Sequence, residues 1–361
     1  MSGRRHVVLV TYGEPPNASF VDQLTYSWRI LVGLTRKVDA IPKPLLPLIA
    51  VARARGRRQL WRDQMYGSPL EPITEGQARQ LADVLARVEP SSRWKVHVAY
   101  EYRHPLVSEK VQSLPSDEPV WVVPLYAADS AFTHELTREA CAGRQGPTYV
   151  LGAISPQVLG EISASHVLAQ TESEPGWQGR DVALVLAAHG TVLDPPKPID
   201  TGREATEALC AAISARLANR FGMVINGWLN HTRGGRWTEP PVDEALRHVA
   251  EAGFRKVVYF PYGFLADNAE SQLEGRVALD VLRSTANGRG ITSRHLPCLN
   301  DAPALLELLS RQIVACGSTC HAPAFQTSAA TGCGRICQTG DIASACDLCA
   351  SRASRSAQPA A

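Results

Sequence analysis

The chain alternates short, unbroken apolar runs with longer stretches in which apolar positions recur every three or four residues. "HVVLVTY" (6–12), "WKVHVAYEY" (94–102), "PVWVVPLYA" (119–127), "DVALVLAAH" (181–189), "MVINGWL" (223–229) and "KVVYFPYGF" (256–264) read as strands by their length and β-branched content. "SFVDQLTYSWRILVGL" (19–34), "ITEGQARQLADVLARV" (73–88), "EATEALCAAISARLANRF" (204–221) and "PVDEALRHVAEAG" (241–253) read as helices. Thr74 and Gln77 are placed as a capping box for the second of these. Alternating strands and helices predict parallel sheets. Two pairs of segments also echo each other: "VVLVTYGEPP" with "VALVLAAHGTVLDPP", and "VWVVPLYAADSAFTHELTREA" with "VVYFPYGFLADNAESQLEGRV". The repetition predicts an α/β fold of two similar doubly wound, Rossmann-like parallel-sheet halves. Ligand is then expected between the halves, at the carboxyl ends of the strands.

Composition narrows the class. A formal net charge of +2 and 45% hydrophobic residues describe a globular chain with no electrostatic case for nucleic acid. The apolar run near the N-terminus has only a strand's length, and residues 41–58 are interrupted by prolines and then arginines; a cytoplasmic protein is expected. Of nine cysteines, Cys141, Cys210 and Cys298 are scattered and read as packed thiols. The rest crowd between residues 316 and 349, a pattern that favours metal binding over disulfides in a chain without a secretory signal.

The segment "PYGFLADNAESQLEG" (261–275) raises the first chemical question. Asp267, Glu270 and Glu274 recur at helical offsets, so a helix there would stack three carboxylates on one face. Such a face is either simply solvated or a transit path for cations. His189 follows an apolar strand, and Gly190 and Thr191 allow a sharp turn that would leave the imidazole facing the crevice. A histidine and a carboxylate across a crevice can divide proton removal and cation binding between them.

Five motifs in order carry a family resemblance: "VLVTYGEPP", "YGSPLEPITEGQARQL" (66–81), "VPLYAADSAFT", "LAAHGT" and "PYGFLADNAESQLE". Together they resemble the ferrochelatase family up to about residue 315. The resemblance implies a class II chelatase-like fold and an enzyme inserting Fe2+ into a porphyrin, protoporphyrin IX or coproporphyrin III, in haem biosynthesis. Upstream or downstream haem-pathway enzymes are then the expected partners. By the same resemblance His189 and Glu270 match the catalytic pair, and Glu274 and Asp267 match flanking acids of a proton or metal path, so that all four are expected at the metal. Tyr12, Arg29 and Trp237, with Pro240 beside the last, match residues around the substrate. Many family members have histidine where this chain has Asn268, which can hydrogen-bond but cannot titrate. The alternatives are a chelatase for cobalt or nickel, or a porphyrin or haem carrier without activity; retention of both His189 and Glu270 argues against the carrier.

The expected organisation is an N-terminal half (1–150) with an apolar lip at 41–58, a C-terminal half (151–315) carrying the catalytic pair, and a cysteine-rich tail (316–361). The lip either packs on substrate alone or, with its arginines, touches a membrane surface peripherally. The tail is too poor in core-forming residues to fold without a staple. Zinc is the generic expectation for clustered thiolates, whereas the resemblance implies a [2Fe–2S] cluster, which some members carry at the C-terminus. The ligands expected are Cys333, Cys337, Cys346 and Cys349, with Cys316 and Cys320 as substitutes, because no cysteine occurs in "YAADSAFT" to supply a mid-chain ligand.

Overall fold

The computed structural model describes residues 4–38, 42–230 and 235–319. Eight strands form two four-stranded parallel sheets. In the first, β1 (Arg4–Thr11), β2 (Arg93–Tyr100), β3 (Val120–Pro124) and β4 (Thr148–Val150) lie in the order β2-β1-β3-β4. In the second, β5 (Gly179–His189), β6 (Phe221–Leu229), β7 (Lys256–Phe260) and β8 (Thr292–His295) repeat that order as β6-β5-β7-β8. The duplicated topology expected from the echoing segments is therefore present. The loops after β3 and β7 also meet in an antiparallel bridge between Tyr126 and Phe264.

Strand alternation decides how the halves join. Successive side chains point to opposite faces, and in β1 Val7 and Leu9 enter one core while Val8 and Val10 enter another. β5 does the same: Leu184 and Leu186 join Val7 and Leu9, while Ala183 and Val185 pack the other way. The shared core is completed by α3 (Leu70–Val88), α6 (Pro156–Glu172), α7 (Arg203–Leu217) and α10 (Pro303–Thr319). The outer face of the first sheet is covered by α4 (Val107–Gln112) and α5 (His134–Cys141), and that of the second by α8 (Val242–Glu251) and α9 (Gly275–Ser284). α10 packs back on α3, where Gln77 Nε2 donates to the Asn300 carbonyl at 2.6 Å. Among the described residues no helix is long and apolar enough to cross a membrane.

One local expectation is corrected, and the lip takes a form the sequence left open. α3 starts at Leu70, so Thr74 and Gln77 form no capping box: the Thr74 hydroxyl donates to the Leu70 carbonyl within the helix, and Gln77 serves the α3–α10 contact. The lip is no loop. Its described part is a short turn, Lys43–Leu45, leading into α2 (Leu46–Asp63), because proline is tolerated in a helix's first turn, where its missing N–H would be unpaired anyway. α2 pairs with α1 (Phe20–Val38) through Leu31, Leu46 and Ala50, and its far end packs Trp61 on Ala269 and Leu273 of the second half.

Candidate active site at the carboxyl ends of the strands

His189 is the last residue of β5, and the turn that follows is tight: a Cβ on Gly190 would lie 1.8 Å from Asn230 Oδ1. The imidazole is half exposed, and its Nδ1 lies 2.9 Å from Glu270 Oε2. Glu270 is presented by a single π-helical stretch, Ala269–Glu274, that runs straight into α9; π turns within helices recur at functional sites. Asn268 caps this stretch, its Oδ1 accepting from the Ser271 N–H at 3.0 Å while its Nδ2 donates to the Ala266 carbonyl. The position at which the family often has histidine thus does a helix-capping job here.

The expected stack of three carboxylates is not formed. Glu270 and Glu274 are on the helical stretch, but Asp267 precedes its cap and is nearly buried. Its Oδ1 accepts from the Cys298 N–H (2.8 Å) and Gln272 Nε2 (2.6 Å), and its Oδ2 accepts from Asn300 Nδ2 (2.8 Å). A nearly buried carboxylate held by three donors anchors the chain here. Among the described residues no three His, Cys, Asp or Glu side chains converge to hold a metal ion. Glu274 lines a cavity of about 250 Å³ with Leu60, Trp228, Asn230 and Val242.

The substrate residues divide similarly. Tyr12 follows β1 as His189 ends β5; its hydroxyl is buried and has no hydrogen-bond partner among the described residues. Burial, then Glu14 and Glu270, raise its pKa well above the usual phenol range. Arg29 is tied to the loop after β2, donating to the Tyr102 carbonyl at 3.1 Å and standing 2.7 Å from His104 Nε2. Trp237 bridges to Val192 just beyond His189, and the Thr238 N–H donates to the Thr191 carbonyl, which ties its loop to the turn after β5. Cys316 is buried in the shared core on α10. Cys320, Cys333, Cys337, Cys346 and Cys349 lie outside the described residues.

Two residues that sequence reasoning passed over sit beside the pair. Glu14, in what reads as a simple "GEPP" turn, is buried, and its Oε2 accepts from Ser68 Oγ (2.7 Å) and from the Ala269 N–H (3.0 Å). Burial pushes its carboxyl up to about 7, against the lowering influence of Arg57 and the two hydrogen bonds. Arg57, one of the lip arginines for which membrane contact is one of two alternatives, turns inward from α2. Its guanidinium lies over Tyr26 (5.1 Å) and Trp61 (5.3 Å), donates to Gln23 Oε1 (3.0 Å) and approaches Glu14 Oε1 at 3.9 Å. The available signal was positional: in the echo that aligns Tyr12 with His189, Glu14 stands at the position of Thr191.

Fold and site together define a duplicated α/β chelatase-type protein with a histidine–carboxylate pair at the carboxyl ends of the second sheet's strands. The chain belongs to the ferrochelatase family, whose sequence model matches residues 4–315. It is 25% identical over 316 residues to the ferrochelatase of Synechococcus sp. (strain RCC307), covering 84% of this chain and 80% of that one. To the ferrochelatase of Stenotrophomonas maltophilia (strain R551-3) it is 27% identical over 279 residues, covering 75% and 82%. Two solved structures are also similar. One is CbiX, the terminal enzyme of sirohaem biosynthesis in denitrifying bacteria, with a TM-score of 0.46 and 16% identity over 86% of this chain and 99% of that one. The other is a multi-domain chelatase-like protein of Deinococcus radiodurans, with a TM-score of 0.47 and 17% identity; it aligns with 86% of this chain, which spans only 55% of that protein.

Proposed function

We propose that this enzyme inserts Fe2+ into a porphyrin in haem biosynthesis, with His189 and Glu270 handling the pyrrole protons. The observation that carries this reading is the 2.9 Å contact between His189 Nδ1 and Glu270 Oε2 at the strand ends of a ferrochelatase-family chain. Two inner N–H protons must leave the macrocycle as the metal enters. With Nδ1 donating to the Glu270 carboxylate, the imidazole is fixed in the tautomer whose Nε2 accepts a proton, and the carboxylate stabilises the imidazolium that forms. A planar macrocycle hides its nitrogen lone pairs, so binding energy from the ring periphery is spent on bending it. Ferrous iron is the second substrate, and Glu274, one turn beyond Glu270, is the carboxylate proposed to meet it on the way in. Tyr12, Arg29 and Trp237 are proposed to border the porphyrin. Anaerobic assay of the purified protein with Fe2+ and Co2+, each against protoporphyrin IX and coproporphyrin III, tests the reading: iron insertion supports it, while cobalt-only turnover or binding without turnover refutes it.

Two finer parts belong to the same reading. The tail is proposed to hold a [2Fe–2S] cluster on Cys333, Cys337, Cys346 and Cys349, supported by their close spacing; such a centre would stabilise or sense, since metal insertion transfers no electrons. Peripheral membrane contact is proposed through α1 and the lip, where Val21, Trp28, Leu45 and Leu48 are exposed.

A further inference from the structure

Glu14, from the first half, reaches the residue before Glu270 in the second. Its Oε2 accepts from the Ala269 N–H, 255 positions away in sequence, and Ala269 is the first residue of the helical stretch that presents Glu270. A helix's first N–H groups have no partner within the helix, so a carboxylate from the first half completes the cap that Asn268 begins. The same oxygen accepts from Ser68 Oγ, and that hydroxyl in turn accepts from the Leu70 N–H at the head of α3. The other oxygen faces Arg57, which α2 holds between Tyr26 and Trp61. One buried side chain therefore joins the end of β1, the start of α3, the lip helix and the segment bearing the catalytic carboxylate.

We infer that Glu14 is a positioning residue for the His189–Glu270 pair, fixing through Ala269 where the Glu270 carboxylate stands relative to the imidazole. The inference rests on the proposed reading for its kinetic consequence but not for its geometric one. Glu14 does not touch the reacting atoms; its oxygen must reach the Ala269 N–H, so reach matters more than charge. Glutamine keeps the reach and one acceptor oxygen while losing the charge. Aspartate keeps the charge but is one methylene short.

The test compares Glu14→Gln, Glu14→Asp and Glu14→Ala in the full chain, by anaerobic iron-insertion kinetics and by the 15N resonance of His189 Nδ1 in histidine-labelled protein. Glu14→Asp and Glu14→Ala are expected to lose kcat by roughly 100-fold, the scale of a small misplacement of reacting groups. KM for porphyrin should change little, and the Nδ1 resonance should move as its contact with Glu270 loosens. Glu14→Gln should restore both kcat and the resonance. The reverse order, with Asp active and Gln slow, would overturn the inference in favour of a charge role, as would Glu14→Ala with unchanged kcat and resonance. If Glu14→Ala fails to fold, the Asp–Gln contrast still decides. If the wild-type protein inserts no iron, the functional reading falls while the resonance still tests the positioning.

Discussion

On the proposed reading His189 and Glu270 act as one unit, and their variants should fail in different ways. His189→Ala removes the proposed proton acceptor from a half-exposed strand end, so metal insertion should stop while porphyrin binding, followed by fluorescence quenching, stays near the wild-type level. Wild-type turnover in that variant would exclude the base role. Glu270→Gln should likewise cost far more in kcat than in unfolding midpoint; a sharp fall in the midpoint would make Glu270 a structural residue. Glu101 offers a stability test away from this pair. Burial first, and then Glu139, push its carboxyl up to about 7 despite a hydrogen bond from Thr137 Oγ1. An unfolded glutamate ionises near 4.5. Between those values the folded state holds the extra proton, so the Glu101 contribution falls as pH rises from about 4.5 to about 7, by at most on the order of 3 kcal/mol. Glu101→Gln should therefore gain stability relative to wild type between pH 5 and pH 8 in urea unfolding. A difference that stays constant with pH would show that Glu101 ionises normally in the folded protein.

At the level of elements, what could be read from the sequence depended on how much of an element's surface is buried and by what. β1, β3, β5 and β7 are central strands, apolar on both faces, and stand out as unbroken runs. β4 and β8 are edge strands of three and four residues, and β8 reads "TSRH", so no hydrophobic pattern marks them. α6, "PQVLGEISASHVLAQTE", lacks a clean amphipathic stripe because small residues let it lie close against α7. A Cβ on Gly160 would meet Ala212 Cβ at 2.7 Å and the Ala212 backbone at 3.3 Å. Gly160→Val should accordingly lower stability by roughly 1–3 kcal/mol, the scale of core overpacking, and Ala212→Gly in the same chain should recover part of it. Unchanged urea midpoints would mean the two helices can separate freely. Asp267 was misplaced because offsets of three and four presuppose a helix already running, whereas Asn268 starts it one residue later. The tail carries its own prediction: protein purified without oxygen should be coloured, and Cys346→Ser or Cys349→Ser should bleach it, since the C-x2-C pair is the tightest chelating unit. Stoichiometric zinc and no iron would refute the cluster and leave the family membership untouched.

At the scale of the whole molecule, the halves that echo in sequence do not own separate cores. Val7, Leu9, Trp121 and Val123 of the first sheet share one continuous cluster with Leu184, Leu186, Val258 and Phe260 of the second. α10 closes the arrangement by returning to α3, through Leu305, Leu309 and Ile313 as well as the Gln77 and Gln80 hydrogen bonds to residues 300 and 301. The site depends on this union, because Glu14 comes from the first half and Ala269 and Glu270 from the second. Each half alone would expose one entire apolar sheet face and the inward sides of its helices, and such exposure costs about 25 cal/mol for every Å² left in water. Unfolding by urea should therefore be one cooperative transition, with tryptophan fluorescence and far-UV circular dichroism coincident. A 1–151 fragment expressed alone should be insoluble or bind a hydrophobic dye strongly. Ending the chain after residue 301, which removes α10 but leaves both sheets, should lower the midpoint and take iron insertion with it. Two separated transitions, or a soluble 1–151 fragment with native-like dispersion, would show that the duplicated halves fold independently and meet only afterwards. In that case the Glu14–Ala269 contact would form at docking, and the His189–Glu270 pair would be set by assembly rather than by the folding of either half.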